Sequence, residues 1–86
     1  SRAAAAQGAN IPRQLQEAAQ FLQTRKGPQA ERLLQSVLAA DKQNPDALHL
    51  LGVLAYQRGQ YERAAELAGR ALAVAPRSAL YLNTLG

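Results

Sequence analysis

His49 is the only histidine among the 86 residues, and the chain has no cysteine. An imidazole is the side chain best suited to carry a proton or ligate a metal near neutral pH. Zinc needs several nitrogen or sulfur donors, however, and His49 has no second histidine or thiolate to share an ion with; an acid alone makes a poor partner. His49 therefore reads as a histidine on a helix surface. The carboxylates are Glu17, Glu31, Asp41, Asp46, Glu62 and Glu66. A close pair of them could do general acid–base chemistry, but solvent exposure, first-turn placement and helix pairing account for them. Thr24, Ser36 and Ser78 lack the neighbouring base that activates a hydroxyl. Gly27, Gly52, Gly59, Gly69 and Gly86 are spread along the chain rather than clustered into a phosphate-binding loop. The residue types thus predict no catalytic site, no metal, no cofactor and no enzymatic turnover.

Composition points the same way. The net charge is +4, but Arg13, Arg25, Lys26, Arg32, Lys42, Arg58, Arg63, Arg70 and Arg77 alternate with acids. A nucleic-acid binder carries a denser basic stripe. Tyr56, Tyr61 and Tyr81 could act as stacking platforms for bases, although Tyr61 reads more simply as packing between helices. No nucleic-acid partner is expected. No apolar run approaches the roughly 20 residues that span a bilayer, and Ser1–Asn10 lacks the apolar stretch of a signal peptide. The expectation is no membrane insertion, and the compartment stays open with the cytoplasm as default. Without cysteine there is no disulfide or thiolate metal site to staple a domain this small, so its helices must pack efficiently.

The elements that would position these side chains are helices. Residues 1–10 are alanine-rich, with no large apolar side chain, and read as a disordered linker, a frayed end or a cloning remnant. Asn10-Ile11-Pro12 is a helix start, with asparagine as cap and proline in the first turn. Leu15, Ala18, Ala19 and Leu22 follow at helical spacing. Arg25-Lys26-Gly27-Pro28 ends this helix and opens the next, with Gly27 as the stop. Ala30, Leu33, Leu34, Val37 and Leu38 form the second apolar stripe. Asn44-Pro45-Asp46 repeats the start signal, and Leu48, Leu51, Gly52 and Ala55 line the third helix. Arg58-Gly59-Gln60 is a turn. Ala64, Leu67, Ala68, Ala71 and Leu72 line the fourth helix. Pro76-Arg77-Ser78 breaks the chain before a short fifth helix over residues 79–86. No strand pattern is present.

The chain also repeats itself. Leu51-Gly52 recurs as Leu85-Gly86, 86 − 52 = 34 residues later, and a period of this length marks stacked helical hairpins. The segment Leu48-x-x-Leu51-Gly52, with Ala64, Ala71 and Pro76, resembles the tetratricopeptide repeat (TPR) family. Leu48 stands where the family has Trp, Ala55 where it has Tyr, and Ala68 where it commonly has Phe. Tyr61 is similar to the aromatic found early in the family's second helix. One period earlier Phe21, Ala30, Leu34 and Val37 occupy equivalent slots, and Lys42 replaces the proline. One period later Leu82, Leu85 and Gly86 restart the motif. Gly52 in mid-helix costs roughly 1 kcal/mol against alanine, and close helix packing is its plausible compensation. The turn at Arg25–Pro28 also departs from the family's usual pattern.

The resemblance covers residues 12–86. It implies an all-α fold of antiparallel helix hairpins stacked as a short right-handed α-solenoid, with repeats at about 11–44 and 45–78 and a partial repeat at 79–86. It further implies a non-catalytic module that binds a protein or peptide in a concave groove lined by the first helix of each repeat. The groove residues it points to are Gln16, Gln23, His49, Leu50, Val53, Tyr56, Gln57 and Asn83, joined by Leu15, Ala19, Leu22, Leu80 and Thr84. Gln and Asn would hydrogen-bond a peptide backbone, while Leu50, Val53 and Tyr56 would accept an apolar side chain or pack against the next repeat. Some family members clamp a peptide carboxylate with Lys, Asn and Arg. The matching positions here hold Leu15, Ala19, His49 and Val53, so no such clamp is expected. Two alternatives remain at this stage. The chain could be the substrate-recruiting or scaffolding module of a larger enzyme, as similar repeats are beside glycosyltransferase and sulfotransferase domains. It could also self-associate as a homo-oligomer through residues 79–86.

Overall fold

A computed structural model describes residues 10–74. They form four helices: α1 (Ile11–Gln23), α2 (Gly27–Ala40), α3 (Pro45–Gln57) and α4 (Tyr61–Val74). No strand occurs among the described residues. Helices α1 and α2 pack as one hairpin and α3 and α4 as another, and α3 also lies against both helices of the first hairpin. The expected boundaries at residues 1–10 and 79–86, with the Pro76–Ser78 break and the fifth helix, lie outside the described residues except for Asn10.

The core follows from the apolar stripes. Ala18 and Leu22 of α1, Ala30, Leu34 and Val37 of α2, and Leu67 and Ala71 of α4 are buried against α3 and one another. Helix α3 is the hub: Ala47, Leu48, His49, Leu50, Leu51, Gly52, Leu54 and Ala55 are all buried. A helix gripped by three neighbours has little face left for solvent, and this helix is correspondingly apolar around most of its circumference. Leu72, expected in the apolar stripe of α4, is instead 42% exposed.

The helix ends separate two asparagines that look alike in sequence. Asn44 caps α3 as expected: its Oδ1 accepts from Ala47 N–H at 2.9 Å, and its Nδ2 donates to Asp41 Oδ2 at 3.3 Å. Its backbone is extended (φ −59°, ψ 115°), the conformation in which a cap side chain can reach back. Asn10 precedes α1 with φ −99° and ψ 5°, and its side chain makes no cap bond.

The two hairpin turns turn out to be one design. In the second, Gly59 has φ 77°; Gly59 N–H donates to Tyr56 O at 3.0 Å and Gln60 N–H to Ala55 O at 2.8 Å. This pair of bonds around a left-handed residue satisfies the last carbonyls of the helix. In the first turn Arg25 N–H donates to Leu22 O at 3.3 Å and Lys26 N–H to Phe21 O at 2.7 Å, and the left-handed residue is Arg25 itself, at φ 62°. The positions differ by 59 − 25 = 34 residues. The helix stop assigned to Gly27 therefore belongs to Arg25, and the turn keeps the backbone pattern of its partner despite its different sequence. Gly27 instead opens α2, where a Cβ would stand 3.1 Å from Leu54 Cδ1 and 3.2 Å from the Arg58 guanidinium. A methyl group there would need the tips of Leu54 and Arg58, both flexible, to give by a few tenths of an ångström.

Left-handed backbone costs a non-glycine residue roughly 1–2 kcal/mol. Arg25→Gly is accordingly expected to raise stability by about 0.5–1 kcal/mol, net of glycine's larger unfolded-state entropy, measured as an increased urea midpoint. Gly59→Ala should move it in the opposite direction.

Candidate functional site

The first helices of the two hairpins, α1 and α3, lie side by side. Gln57 Nε2 donates to Leu22 O at 3.2 Å, tying the C-terminal end of α3 to that of α1. Just past the end of α3, Arg58 Nη1 approaches Glu31 Oε1 at 3.2 Å, an exposed ion pair between the hairpins. Such a pair is worth little by itself; the buried apolar cluster holds α1, α2 and α3 together.

The side chains expected in a groove fall into different environments. Gln16 and Gln23 are exposed on α1. Gln57 is exposed and engaged with Leu22 O. Leu50 is 5% exposed and packs within the core. Val53 is half-buried against that core, whereas Tyr56 is 65% exposed. Leu15 and Ala19 are half-buried and Leu22 is buried. Asn83, Leu80 and Thr84 lie outside the described residues. His49, expected on a helix surface, is 8% exposed. Its helix, α3, packs against α1, α2 and α4, and this accounts for the difference. Burial disfavours the imidazolium and lowers the His49 pKa from its ordinary value, while the Asp46 carboxylate in the same helix acts the other way. The side chain is therefore a neutral imidazole at pH 7.

His49, Val53 and Tyr56 meet in a groove of ≈ 400 Å³ between α3 and α4, together with Gly52, Tyr61, Ala64, Ala65 and Ala68. The Tyr56 and Tyr61 rings stand edge to face at one end, with centroids 5.2 Å apart and planes at 65°. That arrangement suits two aromatic quadrupoles. Tyr61 is 63% exposed, so it packs against its fellow tyrosine rather than in the helix interior. The α4 contribution was not singled out as a site from sequence. The signal for it is a set of small residues, Ala64, Ala65 and Ala68, on the helix turns facing Gly52. Chemically the groove offers an apolar bed, a phenol pair and one neutral imidazole, which suits apolar side chains and nothing that needs a formal charge. Among the described residues no group of three or more His, Cys, Asp or Glu could hold a metal ion, and no helix is long and apolar enough to cross a membrane.

A family model described as tetratricopeptide repeat matches residues 21–86. No curated protein and no solved structure matches the chain. The match takes in the end of α1, all of α2, α3 and α4, and the repeated Leu-Gly at both of its positions. Two all-helical hairpins, the same turn at a 34-residue interval and a glycine where the paired helices touch are the physical content of that match, and the chain belongs to the tetratricopeptide repeat family.

Proposed function

We propose that this protein is a non-catalytic docking module that holds an extended segment of a partner protein along the face shared by α1 and α3. The observation that carries this reading is the pairing of those two helices through Gln57 and Leu22. It sets two first helices side by side, with Gln16 and Gln23 exposed on α1 and Val53 and Tyr56 of α3 opening into the groove towards α4. Amide side chains can satisfy the peptide groups of an extended strand, and a valine–tyrosine step accepts an apolar residue. Leu50 and His49, both buried, hold this face rigid rather than reaching the partner. Asn83 would extend the same polar row one repeat further. The absence of cationic side chains at Leu15, Ala19, His49 and Val53 favours internal segments over a terminal carboxylate.

The test selects peptides from a random display library on the full chain, then places a photoreactive benzophenone side chain at Gln23 or, as control, at exposed Arg32 on α2. Selected peptides are expected to cross-link from position 23 and not from position 32. Cross-linking from position 32 alone, or a library that yields no binder, would overturn the assignment.

A further inference from the structure

The turn between α1 and α2 and the end of α3 frame a second recess, of ≈ 230 Å³, lined by Arg25, Gly27, Pro28, Leu54, Gln57 and Arg58. It lies just past the C-terminal ends of the two first helices, since α1 closes at Gln23 and α3 at Gln57. Its polar side chains are two guanidiniums and an amide, and the amide is already engaged with Leu22 O. Arg58 gives one nitrogen to Glu31. Its Nη2 and Nε stand 3.2 and 3.8 Å from where a Cβ on Gly27 would be. Arg25 pairs with no acid among the described residues. Over residues 24–31 and 54–60 the charged side chains are Arg25, Lys26 and Arg58 against Glu31, so the formal charge is 3 − 1 = +2.

We propose that this recess receives an acidic side chain, aspartate or glutamate, of the partner segment laid along α1 and α3. This rests on the docking function proposed above and adds the partner's charge and the place where that charge sits. Charge complementarity carries it: a concave site with two guanidiniums favours an anion over an amide or a cation. The Arg58–Glu31 pair shows a guanidinium of this recess already holding a carboxylate. It uses one of the five N–H donors of Arg58 and leaves others for a second acid. A doubly charged phosphate would meet the Glu31 charge at close range, so a singly charged carboxylate is the better match. Pro28 and Leu54 supply an apolar side for its methylene stem.

Arg25 is the less expected of the two arginines. It holds left-handed backbone at φ 62°, where the next repeat has Gly59 at φ 77°. Glycine would meet that backbone requirement without steric cost, so the turn does not account for an arginine. Nor does packing, because Arg25 is exposed. What it supplies is a positive charge on the lining of the recess, two residues beyond the end of α1. A side chain that costs stability at the place where it binds fits the trade between stability and function.

Two peptide display libraries test this on the full chain, one with aspartate and glutamate permitted and one with asparagine and glutamine in their place. Binders are expected chiefly from the acidic library. Each should lose about fivefold in affinity, the upper range for an exposed charge pair, on Arg25→Gly or Arg58→Gln. Arg32→Gln removes the same charge from α2 outside the recess lining, and should leave affinity within about twofold because salt screens it at that distance. Arg25→Gly is expected to bind less tightly while its urea midpoint rises; a purely structural role for Arg25 would not move the two in opposite directions. Equal affinities from the two libraries, or equal losses at Arg25, Arg58 and Arg32, overturn the acidic contact, and the docking function stands as long as the peptides still cross-link from position 23. No binder from either library overturns both.

Discussion

Gly52→Leu is expected to destabilise the protein by about 3 kcal/mol, at the upper end of the range for overpacking a close helix contact. A Cβ on Gly52 would stand 3.3 Å from Ala64 O, 3.5 Å from Leu67 Cβ and 3.6 Å from Ala68 N. Two of these atoms belong to the α4 backbone, which cannot swing aside as the tip of a flexible side chain would. A branched side chain must therefore push α4 away from α3 as a body, opening the interface that buries Leu67 and Ala71. Alanine at the same position separates the two opposing effects. It gains up to about 1 kcal/mol in helix propensity and gives most of that back through a displacement of a few tenths of an ångström, so Gly52→Ala should lie near wild type. Gly69 on α4 supplies the control, since nothing lies within 4 Å of a Cβ there. Gly69→Ala should stabilise by about 0.5–1 kcal/mol. Urea midpoints followed by circular dichroism measure the series. A Gly52→Leu midpoint equal to wild type would mean that the helices are not in contact at this glycine.

The same glycine shows how far the sequence could be read. Its position in mid-helix signals a close approach, because there is no other return for the propensity it gives up. The four helices were legible for similar reasons: proline after a cap or a turn, apolar residues at three- and four-residue spacing, and a 34-residue period that locks one hairpin to the next. Arg25 was not legible by residue type. Arginine carries no preference for left-handed backbone, so the glycine nearby drew the assignment; the period, which sets Arg25 opposite Gly59, held the correct answer. His49 was misplaced because polarity alone predicts exposure, whereas burial depends on how many neighbours a helix acquires, and α3 acquires three. The packing of α1 against α3 was foreseeable from the family's architecture. The alanines of α4 were not assigned to a site, because the lack of a side chain is informative only once the opposing surface is known.

Leu34→Ala is expected to cost about 3–4 kcal/mol, within the range seen when a fully buried leucine is truncated. Leu34 is 0% exposed and is among the largest side chains with full burial. It sits on α2, which contacts both α1 and α3, so the void would open where the two hairpins join and could not be closed by moving one helix alone. A domain of 86 residues has a total stability of about 4–13 kcal/mol at typical values per residue. The substitution thus removes a large fraction of it, and the unfolded population should become measurable without denaturant at the lower end of that range. Leu72→Ala deletes the same atoms from a position that is 42% exposed, and should cost less than about 1 kcal/mol because less surface returns to water and no closed cavity remains. The difference between the two midpoints, rather than either value alone, measures the packing contribution at the junction of the repeats. Equal losses at Leu34 and Leu72 would show that Leu34 is not enclosed where the hairpins meet. A loss confined to Leu34 would show that close packing at the junction of the hairpins carries a large share of the stability.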